Sequence, residues 1–241
     1  METMTNGTRF MSAFNDVENH LRETLGNGDY ERFSDLRRKA RDANITTAQQ
    51  DKWLAALGNL RNAISHGRYE QGRPMADPVD SVVARMETLR VAIIQPPTVG
   101  DVVRGQQAVE FPIDEPLSTA LRYVREHSYS QFPIRDQGDF VGLLTTNAIA
   151  RWLAHQMDLH GGMAESEPVG EVLKHREADE QAVLLSRDSR LVEALEQLSP
   201  PDPSVPGCTA VVVTHNGQSS DKTLGLITHA DIPDCVRRIL G

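Results

Sequence analysis

The sequence predicts an α+β chain in two parts, an N-terminal four-helix bundle followed by two β-α-β-β-α repeats. Three observations predict it. The hydrophobic period is helical before Pro96-Pro97 and mixed after it. The charge balance changes at the same place. The mixed part then repeats itself, and an internal repeat is the strongest architectural signal a sequence carries. With 241 residues, there is room for one large domain or two to three small ones. The expected division is a helical domain over 1–95, a first repeat over 96–159 and a second over 160–241.

Phe10, Phe14, Val17, Leu21 and Leu25 fall on one helical face, ended by Gly26-Asn27-Gly28. Tyr30, Phe33, Leu36 and Ala40 give a second helix. Trp53, Leu57, Leu60 and Ile64 give a third, stopped by Gly67. Asp77-Pro78 reads as an N-cap with proline at the first helical position. Behind it Val79, Val82, Met86, Leu89 and Ile93 mark a fourth helix. Four amphipathic helices joined by short loops make a bundle.

After the diproline, short β-rich runs alternate with helical ones, twice. Val99-Gly100-Asp101-Val102-Val103 is echoed by Val169-Gly170-Glu171-Val172-Leu173. Phe140-Val141-Gly142-Leu143-Leu144-Thr145 is echoed by Thr223-Leu224-Gly225-Leu226-Ile227-Thr228. Between each pair lies an amphipathic helix, marked by Leu117, Ala120, Leu121 and Val124, then by Leu191, Ala194, Leu195 and Leu198. A strand follows each helix, at Phe132–Arg135 and at Thr209–Val213. Turn residues follow each strand, Asp136-Gln137-Gly138 and His215-Asn216-Gly217. One copy alone would leave a sheet face bare, so the two are expected to pack together.

Composition narrows the class. Hydrophobic residues at 39% and charged residues at 24% exclude a collagen, a coiled-coil rod and a mostly disordered chain. The apolar runs Val91–Ile94 and Ala210–Val213 are too short to span a bilayer. The first residues show no basic or apolar signal region. Two cysteines, Cys208 and Cys235, cannot build a disulfide framework, so a reducing, cytoplasmic setting is expected. Through Pro97 there are 13 basic and 13 acidic residues; after it, 12 and 21, so the second part carries the whole net charge of −9. A bulk nucleic-acid binder would be basic throughout. Any such contact is local, at Arg37-Arg38-Lys39 and Arg41, a cluster that a solvated helix face explains more simply. No phosphate-loop, zinc-protease, nucleophile-elbow or dinucleotide-binding motif is present.

The Val-Gly-Asp opening, the Phe-Pro-Ile-x-Asp-x-Gly strand and turn, and the Gly-hydrophobic-hydrophobic-Thr strand together resemble a tandem CBS domain pair, the Bateman module, over residues 98–241. In the second copy Thr228 and Asp231 straddle a strand-to-helix turn around His229. A carboxylate can accept from two vicinal ribose hydroxyls, and free N–H groups at a helix start can receive a phosphate. The resemblance implies that Thr228, His229 and Asp231 contact an adenosine nucleotide (AMP, ADP or ATP), with the base against Val183, Leu184 and Leu185. A helix cap at Thr228 and Asp231 is compatible with that role. The first copy has Thr145 but carries Ala148 where the Asp belongs, so one competent site per chain is expected.

The third helix ends Arg61-Asn62-Ala63-Ile64-Ser65-His66. Arg-x-x-x-x-His at a helix end in a four-helix domain resembles the HEPN signature, over roughly residues 8–95. That resemblance implies a metal-independent endoribonuclease working as a homodimer on single-stranded RNA. Asn62 and His66 share a helix face, and Arg61 can reach round to it. His66 near the helix C-terminus favours its protonated form and is suited to proton transfer. Arg61 would hold charge on the phosphate. A helix-terminal His capping carbonyls and an Arg in a surface ion pair explain the same residues without chemistry. Two functions therefore stand: a nucleotide-regulated HEPN ribonuclease needing no metal, or a non-enzymatic adenine-nucleotide sensor whose helical domain dimerises or recruits a partner. Neither membrane nor DNA is an expected partner.

Overall fold

The structure is a computed structural model and describes residues 4–26, 31–66, 77–127, 129–160, 167–177 and 180–240. The chain divides into two compact units, 1–97 with 236–241, and 98–235.

Among the described residues, the first unit holds α1 (Asn6–Leu25), α2 (Phe33–Asp42), α3 (Ala48–His66) and α4 (Asp80–Ile94). The Thr5 hydroxyl caps α1 by accepting from the Thr8 N–H, and Gly26 ends it in the left-handed conformation at φ 63°. One core joins the four helices: Phe10, Phe14, Val17 and Leu21; Leu36 and Ala40; Leu54, Leu57 and Ile64; Val83, Met86, Leu89 and Ile93. Each large side chain buried there is worth about 1.5–3 kcal/mol. Within this unit the Gln50 amide donates to the Ile239 carbonyl at 3.3 Å.

Two details of the helical pattern differ from expectation. Trp53 is exposed with Arg85 over its ring at 5.0 Å, and its neighbour Leu54 takes the core position. α4 starts at Asp80 with an exposed Val79 at its N-cap, three residues after Asp77. Asp77 serves another helix: its carboxylate accepts from the Gly7 N–H of α1 at 3.1 Å, one of the donors an α-helix start leaves without a partner. Tyr30, the Asn27-Gly28 stop and Gly67 lie outside the described residues.

The second unit holds two copies of one order. The first is α5 (Val99–Val103), β1 (Phe111–Pro112), α6 (Leu117–His127), β2 (Gln131–Asp136), β3 (Asp139–Thr145) and α7 (Thr146–His160). The second is α8 (Val169–Leu173), β4 (Ala182–Ser186), α9 (Leu191–Leu198), β5 (Ala210–Thr214), β6 (Gly225–Thr228), a 3-10 turn (His229–Asp231) and the start of α10 (Ile232–Leu240), whose residues from Val236 on belong to the first unit. In each sheet the first strand runs parallel to the central one and the third antiparallel. β5 is buried along its whole length, which is why it reads as an unbroken apolar run.

The opening Val-Gly runs, grouped with the β-rich runs in the sequence, are the short helices α5 and α8. They are exchanged between the copies. α5 packs on β6, with the Gly100 N–H donating to the Arg187 carbonyl at 2.9 Å. α8 packs on β3 and α7, with the Gly170 N–H donating to the Ile113 carbonyl at 2.9 Å. A Cβ on Gly100 would come within 2.8 Å of that Arg187 oxygen, so only glycine allows the approach. Arg135 adds a further tie between the copies, donating to Glu110, to the carbonyls of Gly138, Ser219 and Asp221, and to the Thr223 hydroxyl.

Candidate functional site

β6 delivers Thr228 to the turn before α10. The Thr228 N–H and hydroxyl both donate to Asp231 Oδ2, at 2.8 and 3.0 Å. Asp231 is therefore a cap, as its spacing suggests. A carboxylate has about four acceptor positions on two oxygens. Two bonds on one oxygen leave capacity for a further donor.

Thr228 and Asp231 lie in the wall of a cleft of about 620 Å³, a size typical of small-molecule sites. The rest of the lining comes largely from the exchanged segment after α5 and from the entry to β2, including Gln106, Ala108, Val109, Tyr129 and Gln131. Tyr129 is 41% exposed, and its ring meets Phe132 edge-on at 6.3 Å. The Gln106 Oε1 accepts from the Leu226 N–H at 3.1 Å and fixes this segment on β6. Sequence reasoning missed Tyr129, Ala108 and Val109. The signal was available in the repeat register, but only once the exchange of α5 and α8 is known.

The remaining expected ligand residues lie elsewhere. His229 is exposed, with its Nε2 3.1 Å from the Leu198 carbonyl and outside the cleft wall. Val183, Leu184 and Leu185 are in β4, half-buried and paired with Val211, Val212 and Val213. They do not line this cleft.

The first copy is built differently at the same point. The Thr145 hydroxyl accepts from the Ala148 N–H at 3.0 Å and donates to Glu180 Oε1 at 2.8 Å. Glu180 Oε2 accepts from the Glu177 N–H at 2.9 Å and from the Arg151 guanidinium. Burial alone would raise the Glu180 carboxyl, but the Glu177 N–H, the Thr145 hydroxyl and Arg151 together hold it below its ordinary range.

In the first unit, Arg61 and Asn62 line a cleft of about 630 Å³ together with Arg22, Arg32 and Arg37. Arg61 sits 3.5 Å from Glu18, donates to Asn62 Oδ1 at 3.3 Å and lies 5.8 Å from the Phe14 ring centre. His66 closes α3, and its side chain lies outside the described residues. Among the described residues, no group of three or more His, Cys, Asp or Glu is placed to hold a metal, and no helix is long and apolar enough to cross a membrane.

The exchanged α5, the three strands and α7 coincide with a family match: residues 99–155 match the model of the CBS domain. Over those residues the first repeat is similar to a CBS domain. No curated protein matches the sequence. Several solved CBS structures do. A hemolysin-like protein containing a CBS domain from Oenococcus oeni is 19% identical, covering 57% of this chain and 88% of its own, with a TM-score of 0.39. A CBS-domain containing protein from Agrobacterium tumefaciens is 17% identical, covering 58% and 92%, with a TM-score of 0.39. A CBS domain pair in complex with 5′-methylthioadenosine and S-adenosyl-L-methionine is 17% identical, covering 58% and 95%, with a TM-score of 0.42. At these values the functional reading rests on the cleft itself.

Proposed function

We propose that the chain is an adenosine-nucleotide-binding regulatory protein with its ligand in the cleft of the second repeat. The observation that carries this is Thr228 and Asp231 lining one cleft of nucleotide size together with Tyr129. Asp231 accepts from the ribose hydroxyls. Tyr129 stacks on the base, beside Ala108 and Val109. The first turn of α10 offers the phosphate little, since Pro233 has no N–H and the Ile232 N–H donates to the His229 carbonyl. Among the described residues, no Lys or Arg lines this cleft, so the least charged of AMP, ADP and ATP fits best.

Calorimetry with AMP, ADP and ATP tests the reading. Asp231→Ala strands ribose hydroxyls and should weaken binding about tenfold or more, roughly 1–3 kcal/mol. Tyr129→Ala should cost a similar amount through lost stacking, roughly 1–3 kcal/mol. Parental affinity in Asp231→Ala overturns it.

A second reading makes the helical domain a HEPN-type endoribonuclease that cuts single-stranded RNA as a homodimer, under nucleotide control. The shared cleft of Arg61 and Asn62 with three further arginines supports it. The ion pair of Arg61 with Glu18 inside one chain favours the regulatory reading over it. Labelled RNA in EDTA decides between them. Cleavage to 2′,3′-cyclic phosphate ends that falls about 10²–10⁴-fold in His66→Ala would establish the enzyme. A strict monomer by light scattering, or uncut RNA with and without AMP, would remove it.

A further inference from the structure

We propose that the first repeat retains an anion site and that Glu180 of the same chain is its permanent ligand. The site has the donors an oxyanion needs. The Thr145 hydroxyl reaches Oε1 at 2.8 Å, the Glu177 N–H reaches Oε2 at 2.9 Å, and the Arg151 guanidinium pairs with Oε2. Charge-assisted bonds of this kind are about twice as strong as neutral ones. Arg151 is itself oriented, its Nε donating to the His175 carbonyl at 2.9 Å and its other arm 3.3 Å from the Glu177 carboxylate. Glu180 is 6% exposed and Thr145 4% exposed, so no water-filled gap separates them from these donors.

The repeat explains the position. Seventy residues separate α5 from α8, so 175–180 is to the first copy what 105–110 is to the second. Residues 105–109 line the open cleft beside Thr228. In the first copy Glu180 instead accepts from the Thr145 hydroxyl at 2.8 Å. The carboxylate lost at Ala148 is thus replaced from another element. The donors a ligand's anion would use are taken, and the cation a phosphate would meet is already neutralised.

The consequence for stoichiometry, one nucleotide per chain, rests on the nucleotide reading of the second repeat. The anion site itself does not. Glu180→Ala empties the site while keeping Arg151 and Thr145. Acetate is the probe, compared with chloride at equal ionic strength in thermal unfolding of the full chain. The melting temperature of Glu180→Ala should fall well below the parent and rise saturably with acetate. The parent and Glu180→Gln, whose amide still fills the space, should not respond. Should Glu180→Ala fold poorly, its soluble yield on refolding with and without acetate reads the same quantity. No saturable acetate effect, or an equal effect on the parent, overturns the proposal. AMP calorimetry on the parent separates the two readings. One equivalent bound without acetate rescue sinks the anion site alone. Rescue without AMP binding sinks the nucleotide reading alone. Two equivalents bound to the parent would show that Glu180 does not close its site.

Discussion

Thr145 and Thr228 occupy the same place in the two CBS-like copies, at the end of the third strand, and each gives its hydroxyl to a carboxylate. For Thr228 the carboxylate is Asp231, three residues on in the same turn. For Thr145 it is Glu180, on a segment 35 residues away. A cap made within the turn leaves the outer side of the strand end open, and there the structure has a cleft. A cap brought from the neighbouring segment fills that side. Two copies with the same strand order thus differ in whether the polar end of β3 or β6 faces an opening or the half-buried Glu180–Arg151 ion pair. The lesson concerns where a carboxylate comes from, since its bond to the threonine hydroxyl is nearly the same length in both, 2.8 and 3.0 Å.

The sharpest way to break this comparison is to give the first copy the residue it lacks. Ala148 is fully buried, next to the Glu180 carboxylate site through Thr145. Ala148→Asp would bury a second negative charge facing one guanidinium, at a cost on the order of 3 kcal/mol or more. In a Glu180→Ala background the introduced carboxylate can take over the Thr145 hydroxyl, so the two changes should couple favourably by about 1 kcal/mol or more. Urea unfolding of the four species measures it. Additive costs would mean that the introduced carboxylate and Glu180 do not compete for one place.

The glycines of the two matching strands sharpen it next. A Cβ on Gly225 would stand 2.6 Å from the Val103 Cβ of the exchanged α5, a close-packed atom next to the backbone. A Cβ on Gly142 would stand 2.6 Å from an Arg176 guanidinium nitrogen, which can swing away, and 3.1 Å from Leu173. Gly225→Ala should therefore cost about 1–3 kcal/mol by overpacking, and Gly142→Ala about 1 kcal/mol or less. Thermal melts of the two variants check the order. Equal losses would mean that α5 and α8 sit equally loosely on their partner strands.

Acid separates the copies through Glu180. Its folded carboxyl lies below the ordinary range, which is about 4.3 for an unfolded glutamate. The stability it contributes is present above the unfolded value and lost as pH falls through the folded one. Stability measured from about pH 6 down to about pH 3 should fall less steeply in Glu180→Gln than in the parent. Parallel curves would mean that Arg151, Glu177 and Thr145 do not hold the charge.

Much of this was legible in the residues, for identifiable reasons. The helices of the first unit show because burial on one face imposes a 3.6-residue period, as at Phe10, Phe14, Val17 and Leu21. The Thr228–Asp231 pair shows because both partners lie in one turn. The cleft wall at Ala108, Val109 and Tyr129 does not show, because it arrives by exchange of α5 between copies and no local spacing encodes that. The same holds for Glu180. A vacancy at Ala148 is readable, whereas its filling from 35 residues away is a tertiary fact. The apolar run of β4 points to Val183 and Leu184 as base contacts; those residues pair with β5 instead, since a strand beside a fully buried one is claimed by the core.

The smallest expected effect concerns His229, which sits inside the Thr-x-x-Asp turn at the position that Thr146 holds in the first copy. Its position in the motif suggests a ligand contact, but its ring nitrogen lies 3.1 Å from the Leu198 carbonyl and the residue is exposed. One hydrogen bond at the surface, replaced by water when lost, is worth about 0.5–1 kcal/mol at most. His229→Ala should therefore leave AMP affinity unchanged and lower stability by no more than that. The same calorimetry that reads Asp231→Ala reads this variant, and the contrast is the useful number. If His229→Ala weakens AMP binding about tenfold, the ring must leave Leu198 on binding, and the bound turn differs from the free one. If affinity holds while Asp231→Ala loses it, the ligand is recognised by the carboxylate that caps the turn and not by the side chain that the turn displays to solvent.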